Sequence, residues 1–357
     1  MAFLDLSKLW ERRPDRLGID LSGRSVRVMR IKRQREKMLE VSSCGTLDLS
    51  TSRPSSQDLQ KLRIFIKQIG GGLTRAAIKI EDSSLRIRRM NFAKMPERDL
   101  IEGIKWNFRE HIDCPIEEYE VGYTPIAGWG DADKITCAAF GIARRVLKEY
   151  QLLAHEIGVK PVSFEPQASA LLAAFDYNLM WETKHAIVAV SLGERMTHFS
   201  VMADGQLLFS RPMPGVSLEA LGKLIARDLS IDEKNARDML RSHLGKNVAE
   251  LSDIASASND QSKQLLDTMS QFYSQLVVET QRSIDAFCIM FGVDRVAAIY
   301  LCDCGAYAPG IVENMQKSLG VTTRIFDPFA RVMSERLSPE VKASAAIFTV
   351  ALGLAIP

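Results

Sequence analysis

The sequence has no strong charge bias, no long apolar run and no framework of paired cysteines, and each absence removes a class of protein. Forty-six Lys and Arg against 44 Asp and Glu leave a formal net charge of +2. No overall field therefore drives the chain onto nucleic acid or anionic lipid, and any such binding needs a local patch. The longest nearly apolar stretch is residues 343–357, which contains Ser344, Thr349 and Gly353. A membrane-spanning helix needs about 20 apolar residues, so this stretch reads as a buried core helix. The start, MAFLDLSKLWERRPD, lacks the basic-then-apolar order of a secretory signal. The six cysteines, at 44, 114, 137, 288, 302 and 304, fit reduced thiols in a cytoplasmic protein. Only Cys302 and Cys304 stand close together, and with no histidine nearby they fall short of the four ligands zinc takes. The five histidines form no HExxH or His-x-His pattern, and no nucleophile elbow appears.

What remains is an ordinary globular composition, 46% hydrophobic and 25% charged over 357 residues, enough for two or three domains. Residues 1–15 place Phe3, Leu6 and Trp10 at helical spacing ahead of Pro14. Such a segment docks on its own domain or touches a partner or membrane surface. From Leu17 the period becomes two, predicting two or three strands with turns at Ser22-Gly23 and near 33–37. A helix over 57–69 is stopped by Gly70-Gly71-Gly72; because a strand follows rather than precedes the glycines, they read as a helix cap and not as a phosphate loop. Residues 83–165 alternate strand and helix patterns as a compact α/β unit. Strands resume at 186, a polar helical region runs from 216 to about 290 with a loop near 247–263, and VAAIYLC, a turn, a helix, TTRIFDPF and the apolar terminal helix close the chain.

Two of the strand-rich openings echo one another. Leu21-Ser22-Gly23-Arg24-Ser25-Val26 lies on Leu192-Gly193-Glu194-Arg195-Met196-Thr197, 171 residues later, which places Asp20 on Ser191. Turns of duplicated hairpins can close on a phosphate chain with their backbone N–H groups. A third element, IYLCDCGAYAPGIVENMQKSLG, is a buried strand, a small-residue turn and a helix. With it the chain resembles the actin-like nucleotide-binding fold, and specifically the type IV pilus assembly PilM family. The pieces that carry the resemblance are GIDLSGRSVRV (18–28), SSLRIRRMNF (83–92), IEGIKWNFREHIDCPIEEYEVGY (101–123), GIARRVLKEYQLLAHEIGVKPVSFEP (141–166), LVVETQRSIDAF (276–287), LCDCGAYAPGI (301–311) and the ending ALGLAIP.

The resemblance implies an α/β, ribonuclease H-like duplicated fold with two lobes around a nucleotide cleft. Residues 16–185 plus 335–357 would form the first lobe, with a small inserted subdomain at about 83–160. Residues 186–334 would form the second, with a helical part at about 216–290. It further implies a cytoplasmic protein that takes ATP or ADP with Mg²⁺, binds the N-terminal cytoplasmic peptide of a PilN-like inner-membrane protein, and meets other pilus assembly proteins. Membrane association would be indirect, through that partner, and no nucleic acid is expected.

Several nucleotide positions depart from the family's pattern. In the first phosphate loop Asp20 is kept and can hold metal through water, or equally cap the turn. Ser22 stands where glycine is expected, Gly23, Arg24 and Ser25 follow, and Arg27 replaces lysine. In the second loop Ser191 replaces the family's Asp, ahead of Gly193 and Thr197. The nucleoside-binding helix carries Arg237 instead of Glu, Gly215 precedes it, and the adenosine loop reads Asp303-Cys304-Gly305 in place of three glycines. Backbone approach is what glycine permits in such loops, and a carboxylate lost from a Mg²⁺ site weakens it. The expectation is weakened or lost ATP binding and no competent hydrolysis. A working ATPase whose nucleotide state gates docking, or an FtsA-like membrane-associated cell-division protein, are the competing readings.

Two further groups carry expectations. The basic run from Arg24 to Lys37, alternating with Val26, Val28 and Ile31, reads as the solvated face of an edge hairpin. Arg86, Arg88 and Arg89, with Trp106 and Phe108, are the candidates for the partner-peptide groove that the resemblance places beside the inserted subdomain.

Overall fold

The first strands form where the period-two pattern predicts them: β1 (Leu17–Ser22), β2 (Ser25–Arg33) and β3 (Leu39–Asp48). The structure, a computed structural model, describes residues 15–34, 38–51, 54–130, 133–182, 185–244 and 260–356. The amphipathic N-terminal segment, and most of the loop expected near 247–263, lie outside these residues.

Helix α1 (Ser56–Gly70) opens on a capping box between Ser55 and Asp58 and ends with Gly71 at φ 53°, whose N–H bonds Lys67 O. The glycine triplet thus caps the helix. Strand β4 (Arg75–Ile80) returns to the sheet. Next come β5 (Arg86–Ala93), α2 (Glu97–Phe108), β6 (Tyr119–Ile126), β7 (Lys134–Ala143), α3 (Arg144–Glu156), β8 (Lys160–Pro166) and α4 (Gln167–Asn178). The second half runs β9 (Ile187–Leu192), β10 (Thr197–Ala203), β11 (Gln206–Met213), α5 (Leu218–Asp228), α6 (Glu233–His243), α7 (Asp260–Phe291), β12 (Ala298–Cys302), α8 (Ile311–Leu319), β13 (Thr323–Ile325), α9 (Pro339–Ala343) and α10 (Thr349–Ala355).

Duplication is plain in the sheets. One has the order β3-β2-β1-β4-β8 and the other β11-β10-β9-β12-β13. In each, three antiparallel strands are followed by two parallel ones. Strand β9 is buried along its whole length, as a central strand covered on both faces must be. Between β4 and β8 the chain inserts a third, antiparallel sheet, β5-β7-β6. Leu100, Ile104 and Phe108 of α2 pack with Met90, Tyr119 and Ile142 to form its core. The insert also grips the second lobe: Trp129 Nε1 donates to Asp204 at 2.9 Å, beside the Asp204-Gly205 hairpin turn whose two residues both have positive φ. Ala154, Ile157 and Val159, at the end of α3 and beyond it, return to the core of the first sheet.

The C-terminal stretch is the core helix its length predicts. All seven residues of α10 are buried, between β1 and α4. Two glycines permit that crossing: a Cβ on Gly18 would meet Ala351 O, and one on Gly353 would meet Ala170 O. Neither backbone oxygen can move aside cheaply. Gly18→Ala and Gly353→Ala are each expected to cost at least about 1–3 kcal/mol, as overpacking does, read as a lower urea midpoint at unchanged m-value.

Candidate functional site

The two duplicated hairpins meet tip to tip. Gly23, at φ 62°, ends the first, and a Cβ there would stand 2.9 Å from Glu194 Oε2 and 3.0 Å from the Arg195 side chain. The Arg24 backbone N–H donates to Glu194 Oε2 at 2.9 Å. The turns therefore touch each other where the resemblance seats a phosphate chain. Register makes the pairing stricter still. Asp20 lies opposite Arg27 in β1–β2, and Ser191 lies opposite His198 in β9–β10; both members of each pair are 171 residues apart from their counterparts.

Between the hairpins sits a cluster of buried charge. The Arg27 guanidinium spans the lobes, with Nη1 3.2 Å from Asp20 Oδ2 and Nη2 2.9 Å from Asp303 Oδ1. Lys79, from β4, lies 3.1 Å from Asp20 Oδ1 and 3.1 Å from Glu81 Oε2. Asp20, Arg27, Lys79 and Asp303 are all at most 3% exposed. Burial alone would lower the pKa of Arg27, but Asp303, Cys304 and Asp20 more than offset it and hold it raised. Lys79 follows the same pattern: burial opposes the charge, and Asp20 and Glu81 restore it. Burial also acts against the Glu81 carboxylate, yet Lys79 and His198 keep its pKa below the ordinary value.

Asp303 is held in an unusual backbone conformation. Its φ is 70° and ψ −176°, a region essentially reserved for glycine that costs other residues about 1–3 kcal/mol. Its N–H bonds Ala346 O at 3.0 Å, and its carboxylate accepts from Cys304 N–H at 2.7 Å. This is the position where the family's pattern has glycine.

The other sequence candidates are placed around this cluster. Ser191 is buried, and its hydroxyl accepts from Gln167 Nε2 at 2.6 Å. Gly193 lies against Met196 O and Asp303 Oδ2. Thr197 is buried, with an Oγ1 that has no partner among the described residues. Gly305 is packed on the Leu192 side chain, and the Cys302 and Cys304 thiols are raised in pKa chiefly by burial. Ser22 and Ser25 are backbone register partners at the end of the first hairpin. Gly215, at φ 77°, precedes α5, and Arg237 pairs with Glu233 on α6 at 3.7 Å; neither joins the ion cluster. One expectation is corrected. The β2–β3 hairpin does lie at the edge of its sheet, but Arg27 is buried and points into the cleft instead of to solvent.

Lys79, Glu81, Glu194 and His198 were not among the sequence candidates. Lys79 had a signal, a lone cation inside the otherwise apolar strand AAIKI. The other three are brought in by topology alone.

ATP with Mg²⁺ does not fit this arrangement. The carboxylate that would face the metal, Asp20, already holds two cations of the chain, and its counterpart in the second hairpin is the hydroxyl of Ser191. The turns are closed on each other, with Glu194 on the amide that a phosphate would use.

A second feature is a cavity of about 130 Å³ within the insert, lined by Ser83, Ser84, Arg86, Ile112, Asp113, Cys114, Tyr119, Ala143 and Arg145. The five groove candidates disperse around it. Arg86 lines it while donating to the carbonyls of Ser83 and Leu85. Arg88 is exposed. Arg89 points elsewhere, over the Phe291 ring at 4.4 Å in a separate cavity with Trp129. Trp106 is 67% exposed beneath the Arg109 guanidinium. Phe108 is corrected: it is fully buried, 5.7 Å from the Tyr119 ring, and supports the insert from inside.

A family model for the type IV pilus assembly protein PilM matches residues 18–357. The chain belongs to the PilM family. The architecture agrees: a solved structure described as a PilM-PilN type IV pilus biogenesis complex superposes with a TM-score of 0.80 at 17% identity, covering 97% of this chain and 98% of that one. The ethanolamine utilization protein EutJ from Carboxydothermus hydrogenoformans is similar at a TM-score of 0.54 and 11% identity, over 97% and 90% of the two chains. MreB5 of Spiroplasma citri bound to ADP gives 0.50 at 11% identity, over 94% of each. No curated protein matches the sequence. At these identities the structures establish the fold, which is the actin-like fold expected of the PilM family.

His198 gives the cluster a measurable pH signature. Burial pushes its pKa from 6.5 down to about 4, against the opposing pull of Glu81, so the folded protein keeps it neutral while the unfolded chain protonates it. That contribution is present above about pH 6.5 and is lost as pH falls toward 4. The thermal midpoint is expected to fall over that window, and His198→Gln to flatten the slope.

Proposed function

We propose that this PilM-family chain is a tail-docking scaffold of type IV pilus assembly that works without ATP turnover. It binds the N-terminal cytoplasmic tail of a PilN-like inner-membrane protein in the cavity of the insert. The protein is cytoplasmic, and the tail recruits it to the inner membrane, where other pilus assembly proteins meet it. Among the described residues no helix is long and apolar enough to cross a membrane, which is consistent with attachment through a partner. The observation that carries the reading is the end-to-end likeness to a chain of a PilM-PilN type IV pilus biogenesis complex, together with a cavity at the edge of an inserted sheet.

The cavity has the chemistry an extended peptide requires. Ile112, half-buried in the lining, offers apolar surface, and Arg145, whose side chain is 64% exposed, offers a cation to a backbone carbonyl or carboxylate. The absence of turnover is supported by Arg27 and Lys79 on Asp20, and by Ser191 in place of a second carboxylate.

Binding of a synthetic tail peptide to the purified protein tests the reading. Ser83→Trp, which fills the cavity from an exposed position, and Arg145→Glu are each expected to weaken binding about tenfold or more, roughly 1.4 kcal/mol. Arg88→Glu and Trp106→Ala, outside the cavity lining, are expected to stay within about twofold. Wild-type protein that does not bind the peptide, or Ser83→Trp protein that binds it normally, overturns the docking site.

A further inference from the structure

The ion cluster and the docking cavity are joined by one short run of chain. Lys79 and Glu81, at the end of β4, pair at 3.1 Å. The Glu81 backbone is fixed on both sides by one hydroxyl: its N–H donates to Tyr150 Oη at 3.1 Å, and Tyr150 donates to its carbonyl at 3.3 Å. Asp82 follows, accepting from Ser84 N–H at 2.8 Å and standing 3.7 Å from Arg145. Ser84 O then accepts from Tyr119 Oη at 2.6 Å. Ser83, Ser84, Tyr119 and Arg145 all line the cavity. Its wall is therefore anchored, within five residues, to the charges that close the cleft.

We propose that Arg27, Lys79, Glu81 and Asp303 take over the task that a bound nucleotide and metal perform in an actin-like cleft: they hold the lobes together and keep the tail-docking cavity in its binding shape. The inference rests on the tail-docking reading. A guanidinium suits the first part of the task, since its planar fork reaches a carboxylate of each lobe at once, as a lysine ammonium would not in the same geometry. Arg27 does this with Asp20 and Asp303. Lys79 carries the constraint from Asp20 to Glu81, and the Tyr150 and Asp82 contacts carry it into the wall. A wall held in the bound shape avoids the ordering cost that a mobile one pays on binding. These four are positioning residues; none of them lines the cavity.

Two variants test this, and the urea midpoint of each is measured to show that it remains folded. Glu81→Gln keeps shape at a side chain that is 25% exposed, and Asp303→Gly relieves a strained backbone, which offsets part of the cost of taking a carboxylate from Arg27. Synthetic tail peptide is titrated against wild type, both variants and Ser83→Trp, with and without ATP and Mg²⁺. Amide hydrogen exchange is followed over residues 80–86. We expect both variants to bind the peptide about tenfold more weakly than wild type and to exchange faster over 80–86. Wild type should bind within about twofold whether or not ATP and Mg²⁺ are present. Normal binding by either variant overturns the inference, as does wild-type binding that needs ATP and Mg²⁺. If wild type binds no peptide, the docking reading falls and exchange decides the rest: unchanged rates over 80–86 in either variant overturn the clamp as well.

Discussion

The molecule turns on a guanidinium held between two carboxylates from opposite lobes. Arg27 has no access to water and pairs with Asp20 from its own hairpin and Asp303 from the facing lobe. Removing such a group from water costs several kcal/mol, which mutual attraction and hydrogen bonds roughly offset, so the assembled network adds little net stability. Its asymmetry is what matters. Deleting one member strands the others as buried, uncompensated charge, at a cost of about 3–5 kcal/mol. A network of this kind tolerates one arrangement of the lobes and penalises the rest. In an actin-like cleft, where the lobes are otherwise bridged by a ligand, that converts an opening joint into a fixed one.

The same feature accounts for the pattern of departures in the phosphate loops. At three positions in the cleft the group present fills space or pairs internally. Ser191 accepts a hydrogen bond from Gln167, Glu194 takes the Arg24 amide, and Asp303 brings a carboxylate to a glycine-shaped turn. The contacts are mutually consistent. A loop that had merely lost its ligand would instead leave these groups pointing at nothing.

Most of the fold was legible in the chain, because it depends on periodicity and punctuation. The alternation after Leu17, the stop at Gly70-Gly71-Gly72 and the apolar end at 343–357 each predict an element that forms. The echo between 21–26 and 192–197 located the two facing hairpins. The cleft was legible only in part. Asp20 stands out as a kept position of a nucleotide site and Arg27 and Asp303 as departures from it, but nothing local shows that the three meet. A salt bridge between residues 27 and 303 belongs to the closure of two lobes. For the same reason Arg27 was read as part of a solvated face: the alternation with Val26 and Val28 is real, but it cannot tell water from the opposite lobe. Phe108 and Trp106 show a related limit, since two aromatics on one helix carry the same sequence signal and the helix buries one while exposing the other.

Asp303 allows the competing effects to be weighed at one residue. Its backbone angles are those of glycine, and keeping a Cβ there costs about 1–3 kcal/mol. Replacing it by glycine would recover that strain and leave Arg27 with one carboxylate instead of two, at a cost of about 3–5 kcal/mol. The second figure is the larger, so a strained aspartate is the more stable choice once Arg27 is buried in the cleft. The converse also holds. With lysine-like reach and hydration at position 27, and nucleotide in the cleft, no group would repay the strain at 303, and glycine would be favoured there. Arg27 and Asp303 therefore make sense only as a pair, and the strained turn is the local mark of a cleft closed by the chain itself.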